Sequence, residues 1–387
     1  MLCGLLAGCT APQEDFANDH FSHQLFCQRQ AEQKRPLRIG LYISYLDLAE
    51  MPLASETDAK QQAAAIAANA LSVGCTDVFL QLRAFGDALY ESSIYPSMQH
   101  TVLHGFCAES NFVQQLLDTL QPLGIRVHAW VNPYRLYPHG ETDALYADFA
   151  EDCVSWQNGL YLRPDSERAK QTVLAGIDEV LMLGFDGVHF DDYFYPTAQA
   201  EFDAKSYAAY TEAGGTLTLS QWRTAAVSDL IARSYALVKQ HGGEKEFSIS
   251  PDGSISRNES VHFADVAAWC TQEGFVDFIC PQLYYGFQNE TMPFADVLAE
   301  WAQLCTAVPL MPVLSAYKVG LADSWAGSGS EEWQTQSGIL AAQLALVRQQ
   351  SSCMGLSLYR YGSLFSPAQE TAAAVMQEIT LFTEEAL

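Results

Sequence analysis

Basic residues are scarce in this chain. It carries 20 Lys and Arg against 46 Asp and Glu in 387 residues, a formal net charge of −26. Phosphate backbones and anionic membrane surfaces are held by clustered Lys and Arg. The composition therefore excludes nucleic acid as a partner and leaves neutral ligands such as sugars. Cysteine metal spacing is missing as well. The ten cysteines form no C-x-x-C and no Cys/His pair at zinc distance. Cys75, Cys270, Cys280, Cys305 and Cys353 lie in or beside apolar segments and read as small core residues. Cys107 and Cys153 fall in loops, where they either stay free or pair. After the N-terminus no apolar run approaches the ~20 residues needed to span a bilayer. No glycine-rich dinucleotide loop follows the first strand, which argues against a doubly wound nucleotide-binding sheet. What is abundant is hydrophobic residue content, 49% against 17% charged, the signature of a folded globular protein with a large core.

The first residues contain "LAGC" at 6–9, which matches the box cleaved in lipoprotein signals, where small residues precede a cysteine that becomes lipidated. A polar stretch, 10–35, follows like a tether. No basic segment precedes the box and the apolar run is short for a signal peptide. The expectation is that 1–36 comprises a truncated lipoprotein signal and tether. The protein would then meet a membrane only through a lipid on Cys9 and work outside the cytoplasm. A frayed apolar terminus is the alternative.

From residue 37 one pattern recurs: a helical stretch ends at Gly or a polar turn, and a short apolar strand follows. Strands are expected from 37 and at 77–83, 125–132, 186–192, 246–252, 275–285, 310–318 and 355–361. Helices are expected near 58–73, 109–123, 166–183, 221–240, 262–273, 294–305, 332–350 and 367–381. Eight alternating units imply an α/β fold, a closed (β/α)8 TIM barrel over 37–387. The strand-to-helix links at 84–108, 133–165 and 193–220 are long. Long loops on one face of such a barrel mark its C-terminal rim as functional.

Side chains alternate along a strand, so parity assigns each one to the helical shell or the barrel interior. Aliphatic residues such as Leu41, Leu80, Val188 and Ile249 mark the outer face. The opposite parity sends Tyr42, Gln81, Arg83, His128, Trp130, Asn132, His189, Asp191, Ser250 and Asp252 inward, with Gln282, Tyr284, Ser315, Tyr317, Ser357 and Tyr359. A rim of aromatic rings and hydrogen-bonding groups suits sugars, which stack their C–H faces and bond through hydroxyls. Glycosidic cleavage needs two carboxyl groups flanking the bond. Asp191 and Asp252, ending neighbouring strands, are the leading catalytic pair, and Asp192, which begins a loop, is the next candidate. Arg83 or His189 would keep one acid ionised while its partner stays protonated. The bland readings are an ion pair between Asp191 and Arg83, and ordinary turn chemistry for Asp252 in "SPDG". Two other functions remain open. One is a glycan-binding barrel without hydrolysis. The other is a metal-dependent hydrolase using His128, His189 and Asp191, although it lacks the paired histidines on the first strand that amidohydrolase barrels use. No cofactor or metal is expected for the leading reading.

Five stretches occur in order: "QLRAFGDALYESSIYP", "GIRVHAWVNPYRL", "GFDGVHFDDYFYP", "SISPDG" and "DFICPQLYYG". Together they resemble the glycosyl hydrolase-like family 10 of bacterial TIM-barrel proteins, over about 37–362. The resemblance implies a secreted or lipid-anchored glycan-cleaving protein, with cell-wall polysaccharide such as peptidoglycan among its substrates. It puts Arg83, Asp87, Asn132, His189, Asp191, Asp252, Gln282 and Tyr284 on family motif positions, and it does not decide which carboxyl is the acid.

Overall fold

The computed structural model describes residues 35–98, 103, 105–137, 149–192 and 194–386. The "LAGC" box with Cys9, and the tether up to residue 34, lie outside them. Residues 37–387 form one compact unit.

Eight parallel strands make its centre: β1 Arg38–Ile43, β2 Asp77–Arg83, β3 Arg126–Val131, β4 Gly187–Phe190, β5 Glu246–Ile249, β6 in two pieces, Phe278–Ile279 and Gln282–Leu283, β7 Val313–Ser315 and β8 Gly355–Tyr359. Each pairs in parallel with the next, and β8 returns to β1, with Arg38 opposite Gly355 and Leu41 opposite Leu358. β6 is interrupted at Cys280 and Pro281, because proline cannot donate to a ladder. Its first piece pairs with β5 and its second with β7, so the ring closes through it. This is the (β/α)8 barrel. Its helices are α1 Glu56–Ser72, α2 Phe112–Leu120, α3 Glu167–Met182, α4 Leu219–His241, α5 Val266–Thr271, α6 Phe294–Leu304, α7 Ile339–Gln349 and α8 Ala372–Ala386. Several starts are written in the sequence: Ser55, Ser166 and Thr218 cap α1, α3 and α4 by accepting from the N–H three residues on.

The alternation expected from parity separates two cores. Ile39, Leu41, Val78, Leu80, Val127, Ala129, Val188, Phe190, Phe247 and Ile249 join the large core between sheet and helices. Tyr42, Phe79, Trp130, Phe278, Cys280, Met311 and Val313 form a separate cluster, bordered by Tyr284 and Tyr359, inside the barrel. Phe79 sits in a column, stacked on His128 at 4.8 Å and on Tyr42 at 4.7 Å. Gly40 makes room for it, since a Cβ there would stand 2.8 Å from the Phe79 ring and 2.3 Å from Ser357 Oγ.

The long loops carry structure that periodicity did not reveal. The β3 loop holds a small antiparallel sheet, Arg135–Tyr137, Cys153–Trp156 and Gly159–Leu162. The β4 loop holds a helix, Ala204–Glu212. Cys107 and Cys153 are both free, and the Cys107 thiol donates to Glu109 instead.

Candidate active site

Asp191 follows the last residue of β4 and is almost fully buried, at 3% exposure. Its Oδ2 accepts from the Trp130 indole N–H at 3.2 Å and the Asn132 amide at 3.4 Å, both from the β3 end. Asn132 is itself fixed, its Oδ1 accepting from Arg135 N–H. Asp191 therefore faces the barrel interior against two expected rim residues. Below it the Tyr42 hydroxyl meets His189 Nε2 at 2.9 Å, and His189 Nδ1 meets Ser248 Oγ at 2.7 Å. Burial, then the nearby His128, push His189 well below the ordinary imidazole range, so it stays neutral. Burial likewise keeps the Tyr42 phenol protonated, its pKa raised well above the usual value.

Asp192, one residue on, turns toward β5 and β6. Its carboxylate lies within 4.8 Å of that of Asp252, and a ring nitrogen of His262 lies within the same distance of both. The structure thus joins Asp252 to Asp192, whereas parity had paired it first with Asp191. Burial holds the Asp192 carboxyl above the ordinary carboxylate range; the His262 charge opposes this, the like charge of Asp252 adds to it, and a hydrogen bond with Gln282 opposes it. Asp252 Oδ1 accepts from Ser254 N–H at 2.8 Å, and its Oδ2 lies 3.2 Å from Arg257 Nε. The Asn258 side chain locks this turn, accepting from Asp252 N–H and donating to the Asp252 carbonyl. The "SPDG" turn chemistry and the site are therefore the same feature. His262 Nδ1 lies 3.0 Å from the Tyr195 carbonyl, which only accepts, so Nδ1 carries a proton. That leaves Nε2, buried and without a partner among the described residues, to face the acids.

Above the column, Tyr359 gathers the aromatic rim: its ring is 5.5 Å from Tyr284, 5.8 Å from Tyr317, 6.0 Å from Tyr42 and 6.3 Å from Trp130. Gln282 donates to the Ser250 carbonyl at 3.1 Å as well as bonding Asp192.

Two expected site residues, Arg83 and His128, lie elsewhere. The β2–β3 register shifts between Gln81 and Arg83, placing Arg83 opposite the outward residue Val131. A bulge of one residue reverses parity, so Arg83 leaves the interior. Its guanidinium lies 3.6 Å from the Tyr95 ring centre, against Gly176 of α3, where a Cβ would meet Nη1 at 3.0 Å. It is not the partner that keeps an acid at the mouth ionised. His128 is at the opposite end of the barrel from the mouth, its Nε2 3.0 Å from Asp77 Oδ1, in a cluster with Arg38, Arg126 and Glu246. A metal centre of His128, His189 and Asp191 is thus not assembled, since each is committed to a different partner. Asp87 is buried in the β2 loop and accepts from Phe85 N–H at 3.2 Å.

Two groups among the described residues could hold a cation: Asp77, His128 and Glu246, where Arg38 already supplies the positive charge, and Asp192, Asp252 and His262. Neither strand parity nor motif spacing points to His262 or Asn258. They lie in a single π-helical turn, Asn258–His262, whose wide period matches neither the α-helix nor the strand pattern and which has no motif spacing. A histidine ten residues after a candidate acid, in a rim loop, was the available signal.

The chain is 27% identical over 345 residues to glycosyl hydrolase DigH of Escherichia coli (strain K12), covering 79% of this chain and 76% of that one. It is 27% identical over 272 residues to glycosyl hydrolase YngK of Bacillus subtilis (strain 168), covering 64% of this chain and about half of YngK, 53%. In structure it resembles the β-amylase catalytic domain of Paenibacillus polymyxa, with a TM-score of 0.57 at 8% identity over 90% of this chain and 98% of that one. It also resembles the Arthrobacter globiformis cyclic α-maltosyl-(1→6)-maltose hydrolase, with a TM-score of 0.52 at 11% identity over 90% and 83%. At such identities these likenesses establish the barrel alone. Residues 36–326 match the family described as glycosyl hydrolase-like 10, and the chain belongs to that family.

Proposed function

We propose that this barrel hydrolyses O-glycosidic bonds of a polysaccharide. The observation that carries the reading is the acid couple of Asp192 and Asp252 beside an aromatic rim, with the Asp192 carboxyl raised toward the range of a working proton donor. A sugar ring rests on Trp130, Tyr284, Tyr317 and Tyr359, with Tyr42 buried beneath them. Asp192 gives its proton to the leaving glycosidic oxygen as the C–O bond breaks. Asp191, held by Trp130 and Asn132, supplies the second carboxylate, either bonding the anomeric carbon or directing a water to it. Asp252, the like charge beside Asp192, helps keep the proton on it. The attacking water then returns a proton to a carboxylate, to Asp192 if Asp191 has bonded the sugar or to Asp191 if water attacks directly, and His262 faces the acid couple. Asn132 and Gln282 orient the acids, His189 fixes Tyr42, and no cofactor takes part.

Cell-wall glycan is the proposed substrate class, on the strength of the motif resemblance. The "LAGC" box at Cys9 supports a lipid-anchored or secreted protein outside the cytoplasm. The test is a panel of peptidoglycan strands, chitin-type glycans and plant polysaccharides, offered to wild type, Asp191→Asn and Asp192→Asn, with new reducing ends as the readout. The reading expects wild type to cut at least one glycan, and both variants to fall by about 100-fold or more in kcat while still binding it. Full activity in both variants would refute the assignment, and binding without cutting by wild type would favour a glycan-binding barrel.

A further inference from the structure

A cleft of about 1040 Å³ opens beside the mouth, between the β1 loop and the segments after β7 and β8. It is larger than the roughly 300–1,000 Å³ of a small-molecule site. It is also continuous with the mouth, because Tyr317 and Tyr359 line both. Their rings stand at 89° to each other, so the two faces they offer lie across one another. Leu46 and Leu321, both exposed, add apolar surface to its sides.

One cleft residue is built into position. Arg360, next to Tyr359, gives Nη1 to Asp47 Oδ1. Asp47 is buried and fully engaged: Oδ1 also accepts from Gly362 N–H at 2.7 Å, and Oδ2 accepts from Ser44 N–H at 2.7 Å and Ser44 Oγ at 2.8 Å. The Arg360 side chain, 27% exposed, makes no other hydrogen bond among the described residues. A guanidinium held by one Nη1 bond keeps its other N–H groups as a fork of donors, which match pairs of sugar hydroxyls or an amide carbonyl. Its charge is balanced by Asp47, and Glu50 also lines the cleft, so the fork acts as a donor set and not as an anion trap.

We propose that this cleft binds the continuation of the glycan chain. Sugar residues beyond the one at the acids cross Tyr359 and Tyr317 and end on Arg360, so the protein cuts within chains rather than releasing terminal units. The proposal rests on the glycan-hydrolysis reading above and adds the length and direction of the substrate to it.

The experiment uses a size-graded ladder, two to eight residues, of the glycan that wild type cleaves in the panel. kcat/KM should rise by about tenfold or more between the shortest and the longer members, with internal bonds cut first, as one or two well-placed hydrogen bonds and a stacked ring would give. In Arg360→Ala this dependence on length should collapse. Arg360→Lys keeps a cation opposite the buried Asp47, so it separates loss of the fork from loss of the fold; an unchanged Tm together with a flattened length dependence supports the proposal. Wild-type kcat/KM that is flat from the shortest member upward, or Arg360→Lys with the full wild-type length dependence, overturns the proposal and leaves glycan hydrolysis standing. If wild type cuts no glycan of any length, both fall together.

Discussion

Asp192 and Asp252, from the ends of adjacent strands, hold their carboxylates within 4.8 Å of each other, with His262 at the same distance from both. Two like charges that close favour a shared proton. Removing the imidazole tests its share. The His262 ring faces that acid, and its charge when protonated holds the Asp192 carboxyl down. His262→Gln should therefore let the Asp192 carboxyl rise further, extending the alkaline limb of kcat to higher pH. A pH–rate profile with no such extension would show that the ring does not act on the acid.

The same three side chains are a chemically competent cation site, so chelation is informative. The two-carboxylate mechanism expects full activity after exhaustive treatment with a strong chelator. Loss of activity, restored by a divalent cation, would transfer the role of the cluster to metal chemistry.

Asp191 depends on its donors. Trp130→Phe keeps an aromatic face for the sugar but removes the indole N–H that reaches Asp191. A lost hydrogen bond to a charged group is worth ~1.5–3 kcal/mol. kcat should fall by about 10- to 100-fold with little change in KM, measured by steady-state kinetics. A KM effect alone would make Trp130 only a stacking surface.

At the far end of the barrel, Asp77 is fully buried between Arg38, Arg126 and His128. Burial tends to raise its carboxyl, but His128 and Arg38 outweigh that and hold it well below the usual range. Asp77→Ala leaves Arg38 with Glu246 alone and removes the carboxylate that Arg126 and His128 share, and should cost about 3–5 kcal/mol in urea unfolding. The sign in pH follows from the depressed native pKa. The contribution is complete above the unfolded value of about 3.9 and is lost as pH falls below it toward the native value. Wild type should therefore lose stability on acidification more steeply than Asp77→Ala, and parallel curves would contradict the pairing.

Arg83 was expected in the mouth and lies outside it, over Tyr95. Arg83→Met should alter Tm and leave KM for glycan within about twofold, since a stacked guanidinium contributes ~0.5–2 kcal/mol to the fold. A large KM change with normal Tm would return Arg83 to the site.

Most of the barrel was legible because its signal is periodic. Alternation in "LRIGLYISY" sends Leu41 outward and Tyr42 inward, and the structure divides them between the two cores accordingly. The same rule turned Trp130, Asn132, His189 and Asp191 to the barrel interior. It misplaced Arg83 because a bulge reverses parity without leaving a mark in composition. It also ranked His128 with the rim because parity gives the side of a strand and not the height along it. His262, Asn258 and the coupling of Asp192 to Asp252 depend on a single π-helical turn, placed by hydrogen bonds to Asp252 and to the Tyr195 carbonyl and not by spacing.

The central claim is that Asp192 is the proton donor and that Asp252 raises its carboxyl. The pH dependence of kcat for Asp252→Asn, beside wild type on the same glycan, tests it most directly. Removing the like charge should lower the Asp192 pKa, so activity should disappear at lower pH and the alkaline limb should move in the acid direction. An alkaline limb that stays in place, or moves upward, would contradict the account.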